Sequence, residues 1–457
     1  MITSLFDLDR LVREASGRLA RARRALAQPA AEDEAPGNPL WPWRAVLRKD
    51  TYDELATVPE PLLAPALRAH VARLTLARVL WDDEVRIARA FREPSVELDD
   101  RVRLPRLPAG LGEEIASGGL VAPRSLLLAA TLDPEEPRRR AVAAAFARAA
   151  AARLRDPVRT HADRRARAAA QLGVSLESID LPAPAALVDG AALDLITATS
   201  GIADRFAPWD RGLRQTIAGD AIAGWPARLG PRWVLSIFGH TDLLRGIALD
   251  DVRLPIAIGG ASFARALVAF GEAFGAAAAP SGAPFALHRP ALDLRPARIG
   301  ALLGMLVGER SFARRAMDLG PGAAIDHARK MARAHLASLR LRAAAARSRA
   351  SLFPVRDDLD DRFREETSRA WGEPLPAELA GVMPRVTEQS SARFVATLLA
   401  ALDRRRLIES LDEDWYRNPR SADALRAIAV EAPAAIDEAT LRAGAAELAR
   451  SLLEHAT

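Results

Sequence analysis

Few residues in this chain could bind a catalytic metal ion. The 457 residues include seven histidines and no cysteine. A zinc site built on one helix typically uses the pattern H-E-x-x-H, in which two histidines four residues apart hold the metal and the glutamate acts as general base. The histidines lie at His70, His161, His240, His288, His327, His335 and His455, and no two are four residues apart. The sequence therefore excludes an H-E-x-x-H zinc site.

One carboxylate stands where a helix core would normally have an apolar residue. The segment RALVAFGEAFGAAA, Arg265–Ala278, has the pattern of an amphipathic helix of small residues, with Glu272 next to Gly271 at its centre. A single carboxylate cannot hold zinc, which needs at least three protein ligands. We interpret Glu272 as a solvated residue facing a cleft. Alternatively, Glu272 contacts a peptide backbone or terminus together with Arg265 or Arg298.

The residues around this helix resemble the catalytic lobe of zinc metallopeptidases of the thimet oligopeptidase and oligoendopeptidase F group. The likeness begins at GGASFARALVAFGEAFGAAA, Gly259–Ala278, and continues to the segment Ser391–Ala429, which contains the turn DEDWYRNP. In that family one helix carries H-E-x-G-H-A and a second helix carries a glutamate ligand. The small residues of the motif are matched here by Gly271 and Ala273.

The resemblance implies that every chemical position of the family's motif has been replaced. Val268 stands where the first histidine would be, Ala269 replaces the general-base glutamate, and Glu272 replaces the second histidine. The later glutamate ligand falls on Ala297. The expected site therefore has no metal ligands, no catalytic residues and no cofactor.

Helical periodicity dominates the chain, and the alternation typical of strands is nearly absent. The sequence predicts an all-α protein with two lobes. The N-terminal helical lobe covers 1–180, and the zincin-like, peptidase-like lobe covers 187–457. The proline-rich segment LPAPAA, Leu181–Ala186, separates them. Asp133 and Ser262 are predicted as helix N-caps, and Gly173 is predicted to end a helix.

The computed pI of 10.3 overstates the basic character of the chain. The net charge is only +5, from 64 basic and 59 acidic residues. With no cysteine, two tyrosines and two lysines, few groups titrate between neutrality and the arginines. The best basic patch combines Arg138–Arg140 with Arg153–Ala170, but acidic residues interrupt it and aromatic residues for base stacking are missing. This pattern argues against a nucleic-acid partner.

The first residues show neither a basic start nor an uninterrupted apolar stretch, so no secretion signal is visible. No run of about 18 apolar residues occurs without a charge, which argues against a membrane span. The expected location is the cytoplasm.

These patterns predict a catalytically inactive, oligoendopeptidase-like protein, a pseudopeptidase, with a binding or regulatory role. Its partner would be a peptide or a protein, such as an active relative. One alternative is a metallopeptidase-like hydrolase with relocated catalytic residues. The sequence thus favours an inactive protein but leaves enzymatic activity open. Another alternative is an unrelated helical interaction scaffold, in which Gly271 and Gly275 simply let two helices approach closely.

Overall fold

The all-α class is confirmed by the computed structural model, which is 78% helical and 1% strand. The structure describes residues 4–26, 37–97, 104, 119–220, 231–239, 241–245, 247, 252, 254, 258–278, 284–349, 358–383, 390–431 and 436–456. Alanine, leucine and arginine, which are abundant in these segments, have high helix propensities.

The described residues in the first half of the chain lie mostly in helices. These helices are α1 (Leu5–Leu26), α2 (Lys49–Thr57), α3 (Leu63–Arg92), α4 (Pro123–Leu132), α5 (Glu136–Arg153), α6 (Arg155–Leu172), α7 (Leu176–Asp180), α8 (Ala185–Ala198) and α9 (Trp209–Ile217). Strand β1 (Val96–Glu97) pairs antiparallel with β2 (Leu120–Val121), with Val96 opposite Val121.

The second half continues the helical pattern. Its helices are α10 (Pro231–Phe238), α11 (Gly260–Ala277), α12 (Phe285–His288), α13 (Arg295–Met305), α14 (Arg310–Arg315), α15 (Pro321–Arg349), α16 (Leu359–Trp371), α17 (Ser390–Leu411), α18 (Ser421–Val430) and α19 (Glu438–Ala456). Short 3-10 helices lie at Trp41–Trp43, Ser200–Phe206, Asp242–Leu244, Leu306–Gly308, Ala377–Leu379 and Trp415–Arg417.

Two hydrophobic clusters organise the region around α15. The central cluster includes residues of α5, α8, α15, α16, α17 and α19, among them Phe146, Leu195 and Trp371. The α11 cluster includes residues of α11 and α13 together with Trp415 and Tyr416 of the DEDWYRNP turn. A further cluster lies among α1, α2 and α3. Helix α15 contacts helices of both clusters, including α8, α11, α16 and α17.

The predicted division into lobes 1–180 and 187–457 stays a prediction. The central cluster contains residues from both sides of Leu181–Ala186, for example Phe146 and Leu195.

The start of α5 differs from the sequence-based expectation. Asp133 was predicted as the N-cap with Pro134 opening the helix, but α5 begins at Glu136 and places Pro137 in its first turn. Proline suits that turn because it lacks an N–H that would have no intrahelical partner. The buried Asp133 carboxylate instead accepts a hydrogen bond from the Glu135 N–H at 2.9 Å and pairs with Arg138.

The start of α11 also differs, because Gly259 and not Ser262 is the N-cap. A Cβ atom at Gly259 would overlap with the carbonyl oxygen of Ala218, so the position requires glycine. The Ser262 hydroxyl, at the third helical position, accepts hydrogen bonds from the Ile258 and Gly259 N–H groups at 2.7 Å and 3.1 Å. The predicted end at Gly173 is confirmed, since this residue adopts a left-handed φ of 76° after α6.

Within the described residues, no single helix has the length and apolar composition needed to cross a membrane. One pair of segments, Ala185–Ala198 and Ser200–Phe206, reaches that length and composition together but is bent by 78° between them.

Candidate functional site

Glycines bring α11 and α13 into backbone contact. A Cβ atom added at Gly271 would lie 2.7 Å from the carbonyl oxygen of Ile299. One added at Gly275 would lie 2.8 Å from the Cα of Pro296. These distances are shorter than any ordinary carbon contact, so each position accepts only a hydrogen atom. The pairing fixes α11 tightly on α13 and sets the direction of the other side chains of α11.

The four positions that the resemblance aligned with the metallopeptidase motif lie on this helix pair. Val268 and Glu272 both approach Gly300 of α13, where an added Cβ would meet the Glu272 Cγ at 2.8 Å. Ala297 precedes Gly300 by one helical turn, so it lies on the same side of α13. Ala269, next to Val268, is half-buried. The structure therefore brings α11 and the segment around Ala297 together.

Glu272 forms an ion pair with a residue from a distant helix. Its Oε1 lies 2.8 Å from Nη2 of Arg393 near the start of α17, and the two side chains are 30% and 39% exposed. Burial raises the pKa of the Glu272 carboxyl, whereas the charges of Arg393 and Arg342 oppose that rise. The Glu272–Arg393 ion pair is therefore partly desolvated but still accessible to solvent.

Arg342 of α15 lies near this pair and has no hydrogen-bond or ion-pair partner among the described residues. Its side chain is half-buried. Desolvation lowers the pKa of the Arg342 guanidinium to about 10, and the positive charge of Arg393 adds to this effect. The guanidinium still carries its charge at neutral pH, so it offers several N–H donors that have no acceptor among the described residues.

Arg265 lies two helical turns before Glu272, on the same face of α11. Its Nη2 donates a hydrogen bond to the carbonyl oxygen of Ile217, at the end of α9, at 2.7 Å. Desolvation lowers the pKa of Arg265 to about 10, with a further contribution from Arg342. Its side chain nevertheless keeps a large exposed area. Protein atoms therefore surround part of the Arg265 side chain, while another part is accessible to solvent.

We call this group the arginine recess and define it by Arg265, Glu272, Arg342 and Arg393. Its residues come from α11, α15 and α17, which contribute to both the central cluster and the α11 cluster. The group contains three guanidinium groups and one carboxylate, so it attracts anions. Arginine forks bind carboxylate and phosphate oxygens in pairs of hydrogen bonds.

Arg298 does not face Glu272. It forms a two-fold contact with the buried Asp403, with Nη2 2.6 Å from Oδ1, and its Nη1 lies 2.9 Å from Glu431 Oε2. The structure therefore brings together Glu272 and Arg265, on one face of α11, and directs Arg298 to a separate ion-pair network.

The donor set of the recess does not suit zinc, because Glu272 is its one carboxylate and zinc sites use at least three protein ligands. Across the ranges that the structure describes, no group of three or more histidine, aspartate and glutamate side chains could hold a metal ion.

No family model, curated protein or solved structure matches this chain. The likeness to oligoendopeptidases therefore stays a prediction from the residues of α11, α13 and the later turn. The geometry of the arginine recess stands independently of that likeness.

The basic runs noted in the sequence are largely occupied by internal carboxylates. Arg139 is buried and its Nε lies 2.7 Å from Asp210 Oδ2, while Arg165 Nη1 lies 2.7 Å from the buried Asp180. Other pairs join Arg138 to Asp133, Arg140 to Glu136, Arg159 to Asp360 and Arg164 to Asp83. The pairs of Arg139, Arg159, Arg164 and Arg165 connect different helices of the fold.

His335 lies seven residues before Arg342 on α15 and therefore on the same helix face. Burial lowers the pKa of its imidazole to about 4, with smaller contributions from the charges of Arg342 and His327. An unfolded histidine has a pKa of about 6.5. The unfolded chain consequently gains a proton at a higher pH than the folded chain does.

We expect this difference to destabilise the protein in acid. The buried, neutral His335 makes its full contribution to stability above about pH 6.5. This contribution is lost as the pH falls towards about 4, below which His335 is protonated in both the folded and the unfolded chain. The variant His335→Asn should remove about 3 kcal/mol of the stability change between these limits. Urea unfolding of both proteins across this range measures the difference. Parallel stability curves for the two proteins would contradict the assignment.

Sequence reasoning identified Glu272 and Arg265 but missed Arg342, Arg393 and His335. One signal was present: Arg340 and Arg342 lie in the apolar stretch LRLRAAAA, where charged residues are uncommon. Nothing in the sequence indicated that Arg393 would reach Glu272 across 121 positions of separation in the chain.

Proposed function

We propose that this protein is a non-catalytic binding protein that holds a peptide by its terminal carboxylate in the arginine recess. The observation that carries the proposal is the position of Arg342, a desolvated guanidinium without a partner among the described residues, next to the Glu272–Arg393 pair.

A carboxylate is the group that this geometry fits best. Two oxygens of a carboxylate accept parallel hydrogen bonds from one guanidinium, and such charge-assisted bonds are about twice as strong as neutral ones. Arg342 is half-buried and burial lowers its pKa, so its charge is less well solvated than in water. An incoming carboxylate would restore the hydrogen bonds that Arg342 lacks among the described residues and would reduce the repulsion between Arg342 and Arg393.

Glu272 has a supporting part in this proposal. It partly neutralises the recess while the recess is free of ligand, and its carboxylate competes with that of the peptide for Arg393. Val268, Ala269 and Ala297 are half-buried apolar residues of the same helix pair. In this view the cleft of a peptidase-like lobe has kept peptide binding without general-base or metal chemistry, and a partner protein with an exposed chain end would be bound in the same way.

The proposal predicts that binding depends on a free carboxylate and on Arg342. The probes are two fluorescent peptide pools of the same randomised sequence, one with a free C-terminus and one with an amidated C-terminus. Fluorescence anisotropy should show saturable binding of the free acid by the natural protein. The variant Arg342→Gln should weaken that binding about tenfold or more, because a hydrogen bond to a charged group contributes about 1.5–3 kcal/mol.

Two further variants sharpen this experiment. Arg405→Gln removes the same charge from a side chain that is 60% exposed on α17, and it should bind the peptides as the natural protein does. Glu272→Gln removes the competing carboxylate and should tighten binding of the free acid. Equal binding of the acid and amide pools, or unchanged binding by Arg342→Gln, would refute the proposal. Cleavage of either pool with turnover would refute its non-catalytic part.

A further inference from the structure

A second charged cavity lies on the other side of α15. It has a volume of about 380 Å³ and is lined by Arg205, Phe206, Arg211, Gln215, Asp220 and Arg333. Arg333 and Arg342 are nine residues apart on α15, which turns their side chains about 180° from each other around the helix axis at 3.6 residues per turn. The cavity is therefore distinct from the arginine recess, and its ligand does not depend on the function proposed above.

The arginines of this cavity retain unused hydrogen-bond donors. Arg205 is exposed and has no ion-pair or hydrogen-bond partner within the described part of the chain. Arg211 approaches Glu136 only to 3.6 Å, and Arg333 donates through Nε to the Ala456 carbonyl oxygen at 3.3 Å. Three guanidinium groups thus line a space that contains one carboxylate, that of Asp220.

The charges in the cavity are unbalanced. Desolvation lowers the pKa of Arg333, and the nearby positive charges of Arg205 and Arg329 lower it further, while Asp220 opposes these effects. Asp220 is itself engaged, because its Oδ1 accepts a hydrogen bond from Gln215 Nε2 at 3.1 Å. A bound anion would therefore reduce the repulsion among these arginines, which the carboxylate of Asp220 does not fully neutralise.

We propose that this cavity binds a small oxyanion, of the phosphomonoester or carboxylate type, with its anionic oxygens on Arg205 and Arg333. The volume of the cavity agrees with a small metabolite, since ligand pockets typically measure about 300–1,000 Å³.

Isothermal titration calorimetry on the full chain tests this proposal with three probes. Glycerol 3-phosphate has the phosphate and the hydroxyl groups, methyl phosphate lacks the hydroxyl groups, and malate replaces the phosphate by carboxylates. We expect saturable binding of glycerol 3-phosphate or malate, whichever oxyanion the cavity prefers. Methyl phosphate should bind about as tightly as glycerol 3-phosphate, because both carry the same phosphate oxygens.

The variant Arg205→Gln should weaken binding of the preferred probe about tenfold, as the loss of one charged hydrogen bond would. Its side chain is exposed and unpaired among the described residues, so this variant should fold normally. Arg333→Gln should have a similar effect. Arg245→Gln removes a charge from a side chain that is 79% exposed and lies outside the cavity, so it should leave binding unchanged. Arg342→Gln, in the arginine recess, should also leave binding unchanged.

Absence of saturable binding by all three probes would overturn the proposal. Equal losses in Arg205→Gln and Arg245→Gln would also overturn it, because binding would then reflect the net charge of the protein. A loss confined to Arg342→Gln would assign the anion to the arginine recess and refute the second site.

Discussion

Replacement of Arg340 by methionine is expected to lower the free energy of unfolding by about 3–5 kcal/mol. Arg340 is completely buried in the middle of α15. Its guanidinium donates hydrogen bonds to the carbonyl oxygens of Ala370 at 2.6 Å, Ile196 at 2.7 Å and Arg369 at 2.7 Å, and to the hydroxyl of Thr199. One side chain thus connects three helices.

The acceptors explain the size of this effect. Ala370 and Arg369 lie in the last turn of α16, and Ile196 lies in the last turn of α8. The carbonyl groups of a last helical turn have no intrahelical donor, and the helix dipole makes this end negative. Arg340 supplies both the donors and the positive charge for two helix ends. Methionine would leave these buried oxygens without hydrogen bonds, at about 1–3 kcal/mol for each unsatisfied group.

Urea unfolding followed by circular dichroism measures this loss. Arg405→Met provides the matched control, because it makes the same change in a helix at a side chain that is 60% exposed. The control should change the free energy of unfolding by less than about 0.5 kcal/mol. A loss below about 1 kcal/mol in Arg340→Met would show that water or a rearranged side chain satisfies the helix ends equally well.

The variant Gly271→Val should cost about 3 kcal/mol or more, because it forces α11 and α13 apart. The first added carbon would lie 2.7 Å from the Ile299 oxygen and 2.8 Å from the Gly300 Cα, and both of these atoms belong to the backbone. A change of side-chain rotamer cannot relieve such a contact. The displacement would also move Glu272, so peptide binding in the arginine recess should fall together with stability.

Gly190→Ala is a control variant that should change stability in the opposite direction. Gly190 lies inside α8, is exposed, and would bring an added Cβ within 4 Å of no described atom outside its own neighbourhood. Alanine should therefore stabilise the protein by about 0.5–1 kcal/mol through its higher helix propensity. Thermal and urea unfolding of the two variants check these opposite shifts. A neutral Gly271→Val would contradict the backbone contact between α11 and α13.

Local patterns predicted the helices well, because apolar periodicity and capping glycines act within a few residues. Gly173 ends α6 as expected. The errors at Asp133 and Ser262 have a local cause as well: both side chains do accept backbone hydrogen bonds near a helix start, but Pro137 and Gly259 determine where the helix begins.

The candidate site was only partly predictable. The small residues around Gly271 indicated a close helix contact, and Glu272 was notable because it interrupts an apolar stretch. Its partners Arg393 and Arg342 come from α17 and α15, and their proximity depends on how the helices pack. Arginine is so common in this chain that composition gave no reason to select these two among many.

The separation of the two proposed anion sites along α15 has a consequence for how they would fill. Nine residues between Arg333 and Arg342 correspond to a rise of about 13 Å at 1.5 Å per residue. The Debye length is about 8 Å at physiological ionic strength and about 30 Å at 0.01 M salt. In dilute buffer the first bound anion would therefore repel the second, which gives negative cooperativity. In physiological salt the two sites would titrate independently.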